Sequence, residues 1–245
     1  MGKKGKIKLA ALLAAAVVAG TYITWDNNQI ETTELELKRE TIPSGFDGFR
    51  ILQVSDLHDK NFGTRQDYLL EQIRQASPDI IVITGDIIDA TGMKIAENFA
   101  GQVTELAPVY YVPGNHERRY NVYELLRQKL LAAGIRVLDN ECMTLERAGD
   151  RINLIGIQDP RFFGSDGQEN ALFEERLEEL CGEAEEPFTI LLSHRPELFE
   201  RYGEYPVDLV FCGHAHGGQV RLPGVPGLFS PEQGFFPKYT GGMYT

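Results

Sequence analysis

Cysteine is nearly missing from this chain and histidine is scarce: three of the first and five of the second in 245 residues. Cys142, Cys181 and Cys212 form an odd, scattered set with no CxxC pair. That excludes a disulfide framework and a zinc knuckle, and leaves them as small apolar residues of the interior. Positive charge is short as well. The formal net charge is -12, and past residue 40 no stretch gathers a basic face, so nucleic acid is excluded as the expected partner. An anionic substrate then needs local positive charge, from a few arginines or from bound metal ions. Low-complexity tracts and short-period repeats are absent. Hydrophobic residues make up 42% of the chain, enough for a sizeable core, so disorder is excluded too.

Long apolar runs are missing with one exception. Lys3, Lys4, Lys6 and Lys8 precede LAALLAAAVVAG at 9–20, and Tyr22 and Trp25 follow before the first acid, Asp26. A basic start followed by an apolar run is an export signal, and this run is about as long as the lower limit for a spanning helix. It has no polar face, which excludes an amphipathic soluble helix. Residues 1–25 are therefore expected to be a membrane anchor. The alternative is a signal cleaved near Val17-Val18-Ala19, giving a secreted protein. The lysines hold the N-terminus in the cytoplasm, so an anchored, single-pass chain carries the rest outside the cell membrane. Residues 26–45 are polar and are expected to be a linker, with an edge strand at 32–38 where apolar and polar side chains alternate. Residues 46–245 are expected to fold as one domain.

Within that domain apolar strands alternate with amphipathic helices. FRILQVSD, PDIIVITGD, APVYYVPGN, IRVLDNE, a weaker TLER, RINLIGIQD, FTILLSH, DLVFCGH and QVRL read as strands. RQDYLLEQIRQA, TGMKIAENFAGQVTEL, NVYELLRQKLLAAG, NALFEERLEELCG and a short RPELFERY read as helices. Such alternation predicts an α/β protein with largely parallel sheet.

Every histidine follows one of these strands. Asp56 and His58 close the first, Asp86 and Asp89 the second, Asn115 and His116 the third; His194 ends FTILLSH, and His214 and His216 follow LVFCG. Carboxyl ends of strands in open α/β sheets converge on the ligand crevice, so these residues are expected to be neighbours. Imidazole, carboxylate and amide oxygen together suit mid-hardness divalent ions such as Mn²⁺, Fe²⁺ or Zn²⁺. Asp56 and His58, and His214 and His216, are spaced to reach ions from the same side of extended chain. Glycines 213, 217 and 218 allow the backbone to turn tightly there. Asp56, His58, Asp86, Asn115, His194, His214 and His216 make a ligand set for two ions if one carboxylate bridges. Two ions about 3.5–4 Å apart are the arrangement for hydrolysing phosphate esters. His116 is left over as a general acid for the leaving oxygen. Asp89 either holds its far nitrogen or caps a helix. Arg118 and Arg195 are candidate phosphate-binding residues, and Arg119 and Arg161 weaker ones. The pairs Phe162–Phe163 and Phe235–Phe236 are expected in the core.

The motifs DLH (56–58), GDIID (85–89), GNHE (114–117), SH (193–194) and GHAH (213–216), in this order, resemble those of the calcineurin-like metallophosphoesterase superfamily. GHAHGGQVRLPG with SPEQGFFPKYTGG looks like its membrane-associated bacterial branch. The resemblance implies a four-layer αββα sandwich of two mixed β-sheets, preceded here by the N-terminal hydrophobic segment, with a dinuclear site at the strand carboxyl ends. It implies Asp56, His58 and His216 on one ion, Asn115, His194 and His214 on the other, Asp86 bridging, and His116 with Asp89 protonating the leaving group. Members of this branch continue with a further strand and glycine loop, so the domain is expected to be incomplete at its C-terminus. The expected function is a phosphodiesterase or lipid-linked pyrophosphate hydrolase at the outer face of the membrane. The alternatives are a phosphomonoesterase or protein phosphatase, and a metal-binding interaction module without catalysis.

Overall fold

The computed structural model describes residues 2–89, 92–119, 121–164, 167–219 and 227–245. They divide into a unit ending at Glu34 and a second running from Leu35 to Thr245. The first is dominated by helix α1, Lys3–Asp26, none of whose residues is buried. At 1.5 Å per residue it is about 36 Å long, against roughly 30 Å for the apolar core of a bilayer. By length and composition it is long and apolar enough to cross a membrane. Its two threonines do not disturb that character. Thr21 Oγ1 donates to the Val17 carbonyl at 2.9 Å, and Thr24 Oγ1 to that of Gly20 at 2.8 Å, so both hydroxyls are satisfied within the helix.

The second unit holds two four-stranded sheets. Strands β1 (Ile51–Val54), β2 (Ile80–Ile83), β3 (Val109–Tyr111) and β4 (Arg136–Val137) form the first, in the order β1-β2-β3-β4, parallel at each pairing. Helices α2 (Asp67–Ala76) and α3 (Lys94–Val103) make the first two crossovers, and α4 (Asn115–Arg119) and α5 (Tyr123–Ala132) share the third. Strands β5 (Glu141–Arg147), β6 (Asp150–Gly156), β7 (Thr189–Leu192) and β8 (Leu209–Phe211) form the second sheet in chain order. Here β5 and β6 are an antiparallel hairpin, and the remaining pairs are parallel, which makes this sheet mixed. Helix α6 (Glu169–Gly182) connects β6 to β7, and the short α7 (Phe199–Tyr202) connects β7 to β8. A small antiparallel hairpin, β9 (Phe229–Ser230) with β10 (Gly234–Phe235), comes last.

The period-2 alternation of strand side chains explains the layering. Ile80, Val82, Leu154, Ile190 and Leu192 point between the sheets, into one cluster with Val112, Leu138, Leu145, Ile152 and Phe188. Their neighbours Ile155 and Leu191 point outward, where Phe173, Leu177 and Leu180 of α6 and Tyr202 of α7 cover them. On the first sheet Ile81 and Ile83 alternate outward and are fully buried. The buried residues of α2, α3 and α5 (Leu70, Ile73, Phe99, Val103, Leu126 and Leu130 among them) belong to that outer layer. Each such aliphatic side chain stabilises the fold by about 1.5–3 kcal/mol relative to exposure. The result is the αββα sandwich.

Three local expectations change. No strand forms at 32–38: Leu35 stays exposed, and only Leu37 turns in, packing on the inter-sheet cluster. One inward leucine gives an edge strand nothing to register against. The strand over IRVLDNE shrinks to two residues, while TLER extends into the seven-residue β5. A helix, α4, replaces the expected loop at NHERR, because side chains satisfy its free N–H groups. The strand expected at QVRL lies outside the described residues beyond Gln219.

Candidate metal centre

The site is built where β1, β2, β3, β7 and β8 end. Leaving each strand, the chain bends through conformations that L-residues rarely take. Asp56, His58, Asp86, His214 and His216 all have positive φ, between 45° and 65°. Asp and His tolerate the left-handed region better than most, yet each such residue still costs on the order of 1 kcal/mol. Close approach adds a second demand. A methyl on Gly213 would collide with Ser55 Oγ and Asp56 Oδ2, and one on Gly114 with Asp86 Oδ1. The backbone is therefore bent and thinned to bring side chains from both sheets together.

Four overlapping donor groups result among the described residues: His58 with Asp89 and His116, Glu197 with His214 and Glu232, and two made only of residues read as ligands. Of these two, Asp56, His58 and His216 offer ligand atoms all within 4.8 Å of one another, and so do Asp86, His194 and His214. In the former group His58 Nε2 lies 3.1 Å from His216 Nε2, and His216 Nε2 lies 3.5 Å from Asp56 Oδ1. Asp86 stands between the groups: its Oδ2 is 3.7 Å from His58 Nε2 and 3.2 Å from His194 Nε2. Asn115 is buried directly before His116, whose backbone N–H donates to Asp86 Oδ1 at 2.8 Å. All seven residues read as ligands from the sequence thus sit at these strand ends.

Asp86 Oδ2, Asn115 Oδ1, His194 Nε2 and His214 Nδ1 are buried and meet no hydrogen-bond partner. A buried polar atom without a partner costs about 1–3 kcal/mol, and four together need an explanation. A bound cation supplies it, since each is a lone-pair donor suited to one. His194 is oriented for that: its Nδ1 lies 2.6 Å from the Thr84 carbonyl, which fixes the proton there and leaves Nε2 as an acceptor. With no ion bound, burial lowers the His194 pKa, but the charge and hydrogen bond of Asp86, joined by Asp56 and Asp159, together push it up to about 10; a cation at Nε2 would take the place of that proton. In return, although burial alone would raise it, His194 holds the Asp86 carboxyl well below the usual range.

His116 lies on the rim, half-buried. Its Nε2 is 3.9 Å from Asp86 Oδ2, and its Nδ1 is 3.3 Å from Asp89 Oδ1. Asp89 caps no helix: Met93 occupies the N-cap position of α3, and the Asp89 backbone N–H donates to Asp59 Oδ2 at 2.8 Å. Arg118 is exposed on α4. Arg195 is 4% exposed. Its guanidinium is engaged by Asp159 through Nε and, at 3.2 Å, through Nη2, and by Glu197 at 3.3 Å and Glu232 at 3.0 Å through Nη1. Arg161 likewise pairs with Glu232 at 3.0 Å. The aromatic pairs divide. Phe163 packs edge-on against Phe173 in the core and Phe162 against Tyr123. Phe235 and Phe236 are 79% and 74% exposed, not core, because the β9–β10 hairpin has no layer over that face among the described residues.

Two functional positions went unread. Glu117, inside GNHE, is wholly buried and accepts backbone N–H groups from Asp86 and Gly114 on Oε2 (2.9 and 2.8 Å) and from Ile87 on Oε1 (2.9 Å). Burial and then the Asp86 charge push its pKa up to about 8, against the pull of those N–H groups. Its place in a quoted motif was the available signal. Glu232, whose Oε2 is 2.6 Å from His214 Nε2, had none: it lies eighteen positions further along, past a glycine- and proline-rich stretch of sequence.

The family profile of calcineurin-like phosphoesterases matches residues 49–218. The chain belongs to this family. As a calcineurin-like phosphoesterase it is a hydrolase acting on phosphate esters. Among its relatives, an uncharacterized metallophosphoesterase of Bacillus subtilis, YkuE, is 33% identical over 96% of this chain and 82% of its own length. The phosphodiesterase YaeI of Escherichia coli is 28% identical over 80% of this chain and 70% of its own. The UDP-2,3-diacylglucosamine pyrophosphatase LpxG of Chlamydia trachomatis is 27% identical over 84% and 77%.

Proposed function

We propose that this calcineurin-like phosphoesterase hydrolyses phosphodiesters or lipid-linked pyrophosphates at the outer face of the membrane, using two divalent ions drawn from Mn²⁺, Fe²⁺ and Zn²⁺. The observation that carries this is the set of four buried, partnerless ligand atoms at the meeting of both sheets. Asp56, His58 and His216 would hold one ion, and Asn115, His194 and His214 the other. Asp86, within 3.7 Å of a nitrogen from each group, is placed to serve both. When bound, the ions supply an acidified water and positive charge against the phosphoryl oxygens.

The chain's own residues do the rest. His116 faces the same space as Asp86 and holds a proton for the departing oxygen. Asp89, 3.3 Å from its other nitrogen, orients the ring. Arg118, exposed beside His116 on α4, is placed to meet an anionic substrate.

Substrate class rests on two supports. YaeI is a phosphodiesterase, and LpxG cleaves a pyrophosphate carried on a diacylated sugar. A tethered enzyme also meets a membrane-borne substrate in two dimensions, and α1 is long and apolar enough to be the tether. Lys3, Lys4, Lys6 and Lys8 would keep its start in the cytoplasm.

The test uses the full chain in detergent with Mn²⁺, comparing a bis-aryl with a mono-aryl phosphate. Diester hydrolysis that Asp86→Asn reduces at least about 10⁴-fold, more than about 5 kcal/mol of barrier, supports the proposal. Activity on the monoester alone moves the function to a phosphatase. Silence on both and on a lipid-linked pyrophosphate, with ions bound, moves it to a binding module.

A further inference from the structure

We propose that Glu232 is a positioning residue for this site: the turn of the β9–β10 hairpin delivers its carboxylate to the outer ring nitrogen of His214, and so presents the inner nitrogen as a ligand atom. The inference rests on the reading of His214 as an ion ligand.

His214 uses its two ring nitrogens differently. Nδ1 is buried and meets no hydrogen-bond partner, facing the group it forms with Asp86 and His194. Nε2 has two close neighbours, Glu232 Oε2 at 2.6 Å and Arg195 Nη1 at 3.1 Å. These demand opposite tautomers. A guanidinium only donates, so pairing with Arg195 would require a bare Nε2. A carboxylate only accepts, so pairing with Glu232 requires a proton on Nε2. The shorter contact decides it, and Arg195 Nη1 has acceptors elsewhere, on Glu232 Oε1 at 3.0 Å and Glu197 Oε1 at 3.3 Å. With the proton on Nε2, Nδ1 carries the lone pair a cation needs.

The hairpin is built to hold this carboxylate in place. Oε1 of Glu232 is gripped by Arg195 and by Arg161 Nη2, each at 3.0 Å. Ser230 is fully buried. The Gln233 side chain spans to the Tyr239 backbone with both ends, donating at 2.7 Å and accepting at 2.9 Å. Glu232 itself sits at φ 59°, a conformation that costs energy and is kept here where its carboxylate makes three charged contacts.

The test titrates the metal-free full chain with Mn²⁺ and compares wild type with Glu232→Gln, Glu232→Asp, His214→Ala and, as a control, Glu200→Gln on α7, which removes a carboxylate bound to the same C-terminal segment through Lys238 and Tyr239. Glu232→Gln is expected to weaken one Mn²⁺ by about 10–100-fold, with Glu232→Asp recovering part of that. Its melting temperature without metal should match Glu200→Gln, and activity should return at saturating Mn²⁺. Long-range proton–nitrogen NMR should find His214 protonated on Nε2 in wild type and mixed in Glu232→Gln. Unchanged Mn²⁺ affinity overturns the proposal, as does a lower melting temperature with affinity intact, which would make Glu232 merely structural. Activity that rises in Glu232→Gln also overturns it, showing a carboxylate that occupies the substrate's place. If His214→Ala leaves Mn²⁺ binding untouched, the ligand assignment itself has failed, and Glu232 falls with it.

Discussion

The two halves of the site are held by different means. The half from the first sheet is held by backbone. Glu117 gathers N–H groups from Asp86, Ile87 and Gly114, and the His116 N–H returns to Asp86, so the two loops that follow β2 and β3 are tied through main-chain donors. The half from the second sheet is held by side chains. Arg195 pairs with Asp159, Glu197 and Glu232, and Tyr202 donates to the Arg195 carbonyl at 2.7 Å. Backbone donors cannot be changed by substitution, whereas a side-chain network can lose one member at a time. The first half should therefore hold its shape under most single changes at its rim, and the second should be the half that tunes.

His116→Gln offers the largest break in that comparison. It removes the proton carrier while the backbone N–H that ties the loop to Asp86 stays. Turnover should fall about 10²–10⁴-fold with Mn²⁺ affinity unchanged. Parallel losses of affinity and turnover would show that the first half depends on this side chain for shape, and the contrast between the halves would fail.

Next comes Asp159→Ala, in the other half. Asp159 is fully buried, binds Arg195 twice and also accepts the Arg161 N–H at 3.0 Å. Removing it leaves a buried guanidinium with two acids in place of three. Chemical denaturation should show a loss of about 3 kcal/mol, the low end for breaking a buried pair, because Glu197 and Glu232 remain. A loss under about 1 kcal/mol, the scale of a surface pair, would mean the network is dispensable. Glu117→Gln should cost somewhat less, about 2 kcal/mol. An amide can accept from one pair of N–H groups but must turn its NH₂ on the other. A neutral result would show that those donors do not hold the first half.

These halves differ also in how far they were legible. The convergence of Asp56, His58, Asp86, Asn115, His194, His214 and His216 could be read because particular side chain types at strand ends leave a mark in short spans of sequence. Strands β2 and β7, fully buried on both faces, were equally plain as unbroken apolar runs. What stayed hidden depends on tertiary neighbours. Arg195 reads as a phosphate-binding residue until Asp159, 36 residues away, is seen beside it. Phe235 and Phe236 read as core because aromatic pairs usually are, and nothing local says that their hairpin lacks a cover. Helix α4 needed a side chain from another strand end to start it. The edge strand at 32–38 failed for the converse reason: local alternation was present and the partner was not.

The smallest effect tests the finest joint of the second half. Tyr202 OH donates to the Arg195 carbonyl and shares a hydrogen bond of 2.9 Å with Ser193 Oγ, both buried, on the residue before His194 and the one after it. Tyr202→Phe keeps the ring that packs in the outer cluster with Phe173 and removes one hydroxyl. Stability should fall by about 1 kcal/mol, one to two ordinary hydrogen bonds. The informative readout is where that loss appears. If the second half is a network of side chains, the missing hydroxyl loosens the turn that carries His194, and Mn²⁺ affinity drops a few-fold along with stability. If affinity holds while stability falls, then Thr84, whose carbonyl receives His194 Nδ1 at 2.6 Å, is enough to aim that ring. His194 would then belong to the backbone-held half, although its strand lies in the other sheet.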